Sequence, residues 1–253
     1  MILDEILART RERVAGLEAT GHIPDRRASG RFSLTKAIRT SERRNAVIAE
    51  VKYASPSRGT LLCGVPPEAL ARALVAGGCA GLSVLTEPFF FGGSTGNLGR
   101  VREVAPVPVL RKDFIVDELQ LRETAALGAD AVLLIAGVLG RDLGRFVDLS
   151  LSLGLEPLVE VRTREEAGLA CAAGASLIGI NNRNLSTMAI DLHTTQRLAP
   201  LVTGEGRLVV SESGVVWPCD VRALRPYCDA FLVGSALMSS ANPGKRLERL
   251  VCA

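Results

Sequence analysis

Short apolar runs recur along the chain, and the segments between them carry apolar residues at helical spacing. Successive runs begin about 20 to 35 residues apart, which leaves room for one helix between each pair. The runs are rich in aliphatic and β-branched residues, which are typical of buried strands. They predict eight strands, at 47–52, 81–86, 107–112, 131–135, 157–161, 177–181, 208–212 and 231–235.

The segments between the runs carry start and stop signals of helices. The clearest, PPEALARALVAGG at 66–78, has proline at its start and glycine at its end. Three helix ends resemble one another: AGGCAGLSV, ALGADAVLL and AAGASLIGI each place glycine before an apolar run, as a left-handed αβ turn requires. Strands that are apolar on both faces and alternate with helices indicate a parallel sheet covered on both sides. Eight such units predict a closed (β/α)8 TIM barrel, with a doubly wound open sheet as the alternative.

The first part of the chain falls outside this repeat. We expect residues 1–253 to form a single domain, with a helical extension at 1–45 and the barrel at 46–253, since α/β barrels of this length commonly form one unit. The segment LDEILARTRERVAGLE predicts an amphipathic helix that packs on the barrel. Its apolar face would consist of Leu3, Ile6, Leu7, Val14 and Leu17.

Composition and charge narrow the class of protein. Hydrophobic residues make up 47% of the chain and charged residues 23%, which is typical of a globular protein with an extensive core. The net charge of +3 is too small to indicate a nucleic-acid or membrane binder. Basic residues nevertheless concentrate in 22–45, which is either a solvated face or a local positive field for a small anion. They are Arg26, Arg27, Arg31, Lys36, Arg39, Arg43 and Arg44.

The cysteines and the N-terminus bear on location. Six scattered cysteines form no CxxC pair, and no histidine stands at ligand spacing, so neither a disulfide framework nor a zinc site is indicated. Asp4 and Glu5 lie where a signal peptide needs apolar residues, and the longest apolar run, AVLLIAGVL, is too short to span a bilayer. We therefore expect a cytoplasmic protein that is neither exported nor anchored in a membrane.

Polar residues follow seven of the eight predicted strands. In a barrel of this kind the carboxyl ends of the strands carry the active site. An unpaired charge in an apolar interior costs several kcal/mol, so the lysines and glutamates at these ends are expected to compensate one another. The alternative is a set of ion pairs that only cap the barrel. The residues are Glu50, Lys52, Thr86, Glu87, Lys112, Glu160, Asn181, Glu212, Ser213, Gly234 and Ser235.

The last two strands carry a signal for phosphate binding. SESGV at 211–215 and VGSALM at 233–238 place glycine and serine directly after a strand, where bare backbone N–H groups and a helix start can bind phosphate. Simple left-handed turns are the alternative. The sequence has no P-loop motif and no GxGxxG after a strand, which argues against an NTPase or a dinucleotide enzyme. His22 and His193 lie far from any predicted strand end, so a catalytic triad or a histidine-bound metal has little support.

Eight motifs together resemble a known family. They are AEVKYASPSRG, LSVLTEPFFFGGS, PVLRKDFI, GADAVLLI, PLVEV, IGINNRNL, SESGV and FLVGSALM. In this order and spacing they are similar to indole-3-glycerol phosphate synthase, an enzyme of tryptophan biosynthesis. The likeness runs from about residue 45 to residue 240. The N-terminal helix is similar in kind, whereas RRASGRFSLTKAIRTSERR matches only loosely.

The resemblance implies a reaction without cofactor or metal. The phosphorylated substrate, 1-(2-carboxyphenylamino)-1-deoxyribulose 5-phosphate, would close to indole-3-glycerol phosphate with loss of CO2 and water, as in a carboxy-lyase. Lys112 would be the general acid at the carbonyl, and Glu160 would serve in the later proton transfers. Lys52 would be a second lysine near the phosphate and the reacting hydroxyl, oriented by Glu50. The division of work between the two lysines stays open.

The resemblance also assigns side chains to parts of the substrate. The carboxylate would be held by Ser55, Asn181 and Arg183, and the mouth would be lined by Glu212 and Ser213. The phosphate would be bound by Gly214, Gly234 and Ser235. The aryl ring would lie in an apolar slot formed by Phe91, Phe114 and Leu133. For the last three, plain core packing is the alternative. FFFGGS at 89–94, which contains Phe91, predicts either an apolar wall or a loop folded back on the barrel.

The residues at the strand ends argue against two other functions. An isomerase such as phosphoribosylanthranilate isomerase is expected to use cysteine and aspartate at strand ends, whereas the first strand carries Glu50 and Lys52. A non-catalytic phosphosugar-binding barrel would lack proton-transfer groups, whereas Lys52, Lys112 and Glu160 are all present. A monomer is compatible with the sequence, which determines neither the oligomeric state nor association with other enzymes of the pathway.

Overall fold

A closed barrel of eight parallel strands forms the centre of the protein. The structure is a computed structural model and describes residues 2–20, 31–204 and 206–253. Each strand pairs with the next along the chain, and the last pairs with the first, so the predicted TIM barrel is confirmed and the open sheet is wrong. The strands are β1 (Ala46–Val51), β2 (Gly81–Leu85), β3 (Val109–Lys112), β4 (Ala131–Ile135), β5 (Glu156–Val161), β6 (Leu177–Asn181), β7 (Leu208–Glu212) and β8 (Ala230–Val233).

The observed strand ends differ from the predicted ones for local reasons. Strands β4, β6 and β7 have the predicted bounds. Strand β3 begins at Val109 because Pro108 has no N–H to give to the ladder. Strand β8 ends at Val233 because a helix begins at Ser235.

Helices follow the strands and cover the outside of the barrel. The helix predicted at 66–78 runs from Pro67 to Ala76. The three glycines at the similar helix ends, Gly78, Gly128 and Gly174, all have the positive φ that the αβ turn requires. The helices are α1 (Ile2–Thr20), α2 (Leu34–Arg39), α3 (Pro67–Ala76), α4 (Pro88–Phe91), α5 (Thr95–Val104), α6 (Glu118–Ala126), α7 (Ala136–Leu139), α8 (Leu143–Ser152), α9 (Arg164–Ala172), α10 (His193–Val202), α11 (Pro218–Leu224), α12 (Ser235–Met238) and α13 (Pro243–Val251). No helix in these described ranges is long and apolar enough to cross a membrane.

Helix α2 closes the amino-terminal end of the barrel. Its Leu34 and Ile38 pack with the interior side chains of the strands. Gly81 at the start of β2 makes room, because a Cβ there would lie 2.8 Å from Leu34 Cδ1. Lys36 and Arg39 of the basic segment are exposed and lie at the end of the barrel opposite the carboxyl ends of the strands. For these two residues, the interpretation as a solvated face is therefore favoured over a positive field for a small anion. Residues 22–30 of that segment lie outside the described residues.

Helix α1 packs on the barrel, as the amphipathic pattern predicted, and lies at its other end, which the pattern did not predict. Ile6 and Val14 are buried. Arg13 binds both carboxylate oxygens of Asp113, which directly follows β3, at 2.8 and 2.9 Å. It also donates to the carbonyl of Thr86, the residue after β2. The N-terminal extension therefore contacts the barrel at both ends.

Candidate active site

A cavity opens at the carboxyl ends of the strands. Its walls include none of the atoms of the strand-end residues Thr86 and Glu87, but they include every residue to which the resemblance assigns a role: Glu50, Lys52, Ser55, Phe91, Lys112, Phe114, Leu133, Glu160, Asn181, Arg183, Glu212, Ser213, Gly214, Gly234 and Ser235. They meet because parallel strands bring all their carboxyl ends to one face, and residues two apart share one side of a strand. The structure thus brings these residues together, while the role of each residue stays a proposal.

Lys112 is held between two carboxylates. Its Nζ lies 2.8 Å from Glu212 Oε2 and 3.2 Å from Glu160 Oε2. The other oxygen of Glu160 accepts a hydrogen bond from Asn181 Nδ2 at 2.9 Å. Glu160 is therefore fixed at both oxygens, with Lys112 on one side and the amide of Asn181 on the other.

Lys52 has a separate partner. Its Nζ lies 2.6 Å from Oε1 of Glu50, and both side chains are nearly buried. Glu50 ends the interior face of β1, and Lys52 is the first residue after the strand. The cavity thus contains two lysines and three carboxylates, each lysine paired with at least one glutamate.

Burial and neighbouring charges shift the pKa values of this cluster. Burial by itself would lower the pKa of Lys112, but Glu212, Glu160 and Glu50 outweigh it and raise that pKa well above its ordinary range. Burial raises the pKa of Glu212 to about 8; Lys112 opposes this shift, and the charges of Glu160 and Glu50 add to it. Lys112 is therefore held as a cation, and Glu212 keeps its proton to a higher pH than an ordinary carboxyl group does.

Arg183 reaches the cavity from the loop after β6. Its guanidinium donates to Ser57 Oγ and to the carbonyl of Met188, and its backbone N–H donates to Asn181 Oδ1. Partial burial lowers the pKa of Arg183, and the nearby Arg58 lowers it further. The hydroxyl of Ser55 is buried and has no hydrogen-bond partner among the residues described. This side of the cavity therefore offers positive charge and a free hydroxyl to an anionic group.

An aromatic pair lines another part of the wall. Phe91 and Phe114 have ring centroids 6.1 Å apart, tilted by 36°, and Leu133 lies on the same cavity. Phe91 ends the short helix α4, whose first N–H groups are capped by the carboxylate of Glu87. The apolar wall predicted for FFFGGS is thus right for Phe91, whereas Phe89 is 60% exposed.

The turns after β7 and β8 line the cavity, and their binding of phosphate stays a prediction. Ser213 has φ 64° and Gly214 has φ 90°, so the chain turns sharply after Glu212, and both residues line the cavity. A left-handed φ is uncommon for a serine and typical of functional sites. Ser235 begins α12 directly after Gly234, and both residues line the cavity.

Sequence reasoning missed a buried ionic network beside Lys112. It includes Arg111, which contacts α6 on the outer side of β3, and Asp113, which directly follows the strand and also lines the cavity. Both side chains are fully buried. Asp113 accepts hydrogen bonds from Arg111, Arg13 and Thr86. Thr86 was predicted as a strand-end group and belongs to this buried network. The alternating charges of RKDF could have indicated it, but Arg13 is 100 residues away in the chain.

Two further kinds of side chain bear on site chemistry, the histidines and an additional arginine. His193 begins α10, where its ring contacts Gln196 at 2.7 Å and is exposed; His22 lies outside the described residues. Arg58 lines the cavity and was not predicted. In the described part of the chain, no group of three or more His, Cys, Asp or Glu side chains is placed to hold a metal ion.

Known proteins resemble this chain over almost its whole length. A sequence model for "Indole-3-glycerol phosphate synthase" matches residues 3–250. The enzyme of that name from Methanopyrus kandleri is 45% identical over 253 residues, with 98% of this chain and 97% of the relative covered. That from Bordetella pertussis is 46% identical over 213 residues, with 83% and 81% covered.

Solved structures show the same fold at low identity. A 3-hexulose-6-phosphate synthase has a TM-score of 0.65 at 14% identity and covers 81% of this chain and 98% of its own. A tryptophan synthase from M. tuberculosis has a TM-score of 0.63 at 16% identity and covers 87% and 96%. At these identities the likeness supports the barrel fold alone.

Proposed function

The chain belongs to the indole-3-glycerol phosphate synthase family, and we propose that its cavity carries out the ring closure through the residues described above. The substrate is 1-(2-carboxyphenylamino)-1-deoxyribulose 5-phosphate. It loses CO2 and water to give indole-3-glycerol phosphate, so the enzyme is a carbon–carbon lyase of the carboxy-lyase type. The observation that carries this proposal is the contact of Lys112 with both Glu160 and Glu212, in a cavity that also contains two phosphate-type turns.

Substrate binding uses three parts of the cavity wall. The phosphate binds at the N–H groups of Gly214 and Gly234 and at Ser235. The carboxylate binds near Arg183, whose planar guanidinium suits it, and near the free hydroxyl of Ser55. Asn181 supports this carboxylate subsite.

The aryl ring lies against Phe91, Phe114 and Leu133, with Ser213 at the mouth. Anchoring the two charged ends brings the ring carbon close to the ribulose carbonyl, and such positioning is worth several kcal/mol of the barrier.

The first chemical step needs an acid at the carbonyl. The aryl carbon that bears the carboxylate attacks C2′, and the carbonyl oxygen becomes an alkoxide. Lys112 gives it a proton, because its neighbouring carboxylates keep it charged until so strong a base is present. Loss of CO2 then restores the aromatic ring.

The second step is dehydration. Lys52, held by Glu50 at 2.6 Å, protonates the hydroxyl that leaves. Glu160 removes the ring proton, with its second oxygen held by Asn181. Both protonations fall on the same oxygen: Lys112 protonates it as the alkoxide after ring closure, and Lys52 protonates it again as the hydroxyl that leaves.

A direct assay tests the function. The purified protein is given the carboxyphenylamino-deoxyribulose phosphate, and indole fluorescence is followed over time. We expect product to form without added cofactor or metal, including in the presence of a chelator. A folded protein that forms no product would contradict the proposal.

Removing the Ser235 hydroxyl should weaken substrate binding. A hydrogen bond to a charged group is worth about 1.5–3 kcal/mol, so Ser235→Ala should raise KM about tenfold or more and leave kcat nearly unchanged. Steady-state kinetics measures both constants. Ser239→Ala is the matched control, because Ser239 follows the same short helix and is exposed. A loss in kcat at constant KM would argue against a phosphate contact at Ser235.

The raised pKa of Glu212 predicts a pH effect. Above about 8 this acid ionises and adds a negative charge beside Glu160, which opposes binding of an anionic substrate. We therefore expect kcat/KM to fall as the pH rises through about 8, and Glu212→Gln to remove that fall. The free energy of unfolding is also expected to fall as the pH rises. Because the folded-state pKa of Glu212 exceeds its ordinary value of 4.5, the stability that Glu212 contributes is fully present below pH 4.5 and is lost as the pH rises through about 8. A fall of equal size in Glu212→Gln would assign the titration to another group.

We also infer a cytoplasmic location. All six cysteines are free, two of them partly buried and one fully buried, which suits a reducing compartment. Small anionic substrates, rather than nucleic acid or membrane, fit the modest net charge of +3.

A further inference from the structure

Gly179 in β6 lies behind the carboxylate of Glu212. We propose that Gly179 is a positioning residue for the reaction: its bare backbone leaves the space that the Glu212 carboxylate needs in order to reach Lys112. This inference rests on the proposed function, to which we add one role: the carboxylate of Glu212 holds the Lys112 ammonium in place for proton transfer. It concerns a residue that does not itself line the cavity.

The position of Gly179 in the barrel supports this role. It lies between Leu177 and Asn181 on β6, so it shares their side of the strand, which faces the barrel interior. A Cβ at this position would be 2.0 Å from Glu212 Oε1 and 3.0 Å from Glu212 Cδ. Non-bonded carbon and oxygen atoms do not approach so closely, because their contact minimum is about 3.5 Å. A methyl group and the carboxylate therefore cannot occupy this space together.

The side chain of Glu212 would have to give way, rather than the strand. Strand β6 is paired along its length with β5 on one side and β7 on the other, so its backbone cannot retreat without breaking ladder hydrogen bonds. Glu212 Oε1 is buried and accepts no hydrogen bond from the residues that the structure covers. The bare backbone of Gly179 therefore leaves the room that this oxygen occupies. Moving it would turn Oε2 away from Lys112 Nζ, which is 2.8 Å away.

The backbone at Gly179 does not itself require glycine. Its φ is not among the positive values found at other glycines of the chain. Alanine would normally be preferred to glycine in a strand, because glycine loses more conformational freedom on folding. The glycine is thus explained by the neighbouring carboxylate and not by the chain conformation.

A second glycine shows the same arrangement. A Cβ at Gly234 would lie 2.2 Å from Oε1 of Glu50, the partner of Lys52. Two of the three carboxylates in the cluster therefore rest against bare backbone. Gly234 also belongs to the proposed phosphate site, so its substitution would have two effects. Gly179 allows a cleaner test.

The experiment is a set of substitutions at Gly179 and Glu212 in the full chain. Gly179→Ala should lower kcat at least tenfold with little change in KM, and it should shift the alkaline limb of the pH profile. Gly144→Ala is the matched control: this helical glycine has no atom within 4 Å of an added Cβ, so wild-type kinetics are expected. Wild-type kcat and pH profile in Gly179→Ala would overturn the inference.

Double substitutions separate positioning from a general packing defect. Glu212→Asp shortens the side chain by one methylene, so Gly179→Ala with Glu212→Asp should regain part of the activity that Gly179→Ala loses. In the Glu212→Ala background, Gly179→Ala should have little further effect, because the carboxylate is gone. Equal losses in both backgrounds would overturn the inference. If Gly179→Ala does not fold, recovery of folding in the Gly179→Ala/Glu212→Ala protein supports the clash, and no recovery overturns it.

The same set of proteins tests the proposed role of Glu212 separately. Glu212→Ala with wild-type kcat would contradict that role. A large effect of Glu212→Ala combined with additive effects of Gly179→Ala would contradict only the positioning role of Gly179.

Discussion

Replacing Lys112 with alanine is expected to lower kcat by about two to four orders of magnitude, which is the usual contribution of a positioned acid or base. The substitution removes the proposed proton donor at the carbonyl. It also leaves Glu160 and Glu212 facing each other without the cation that binds both. Steady-state and single-turnover assays of indole formation measure the loss, and circular dichroism checks that the barrel is intact.

Lys245→Ala is the matched control for Lys112→Ala. Lys245 is exposed on α13 and does not line the cavity, so its loss should leave kcat unchanged. If Lys112→Ala kept a kcat within a few-fold of wild type, the acid at the carbonyl would have to be another group. Lys52, which is paired with Glu50, would be the next candidate to test in the same way.

Replacing Asp113 with alanine is expected to lower the free energy of unfolding by about 3–5 kcal/mol, the usual cost of removing one partner of a buried ion pair. The carboxylate of Asp113 is fully buried and binds two arginines, Arg13 and Arg111. Burial raises the pKa of Asp113, but Arg111 and Arg13 outweigh this and lower it, so the group is ionised at neutral pH. Its loss would leave the wholly buried Arg111 with less compensation.

Urea denaturation monitored by circular dichroism measures this loss of stability. Glu68→Ala is the control, because it removes a carboxylate that binds Arg100 at 2.7 Å on the protein surface. Exposed pairs contribute little, so its unfolding midpoint should hardly move. A loss in Asp113→Ala no larger than that in Glu68→Ala would show that the buried network does not stabilise the barrel.

The barrel could be predicted because its signals are local. Each strand is a short apolar run, and three αβ turns carry glycines, Gly78, Gly128 and Gly174, that the structure places at positive φ. The errors in strand bounds were also local. Pro108 shortened β3, and the helix start at Ser235 shortened β8.

The members of the site could be predicted for a topological reason. Once the strands are known to be parallel, residues such as Glu50, Lys112 and Glu160 must meet at one face. Arg58 and the buried network of Arg13, Arg111 and Asp113 were missed. Arg13 lies on a helix outside the repeat, and no pattern along the chain places that helix at the carboxyl end of the barrel.

The sequence by itself determined the fold class and the set of side chains around the cavity, because both follow from short-range patterns and from the direction of the strands. Only the tertiary structure decided which side chains pair. Lys112 binds carboxylates that are 48 and 100 residues away in the chain, and a hydrogen bond depends on distances of tenths of an ångström. It also decided where bare backbone leaves space, as at Gly179, because that depends on a side chain from a neighbouring strand.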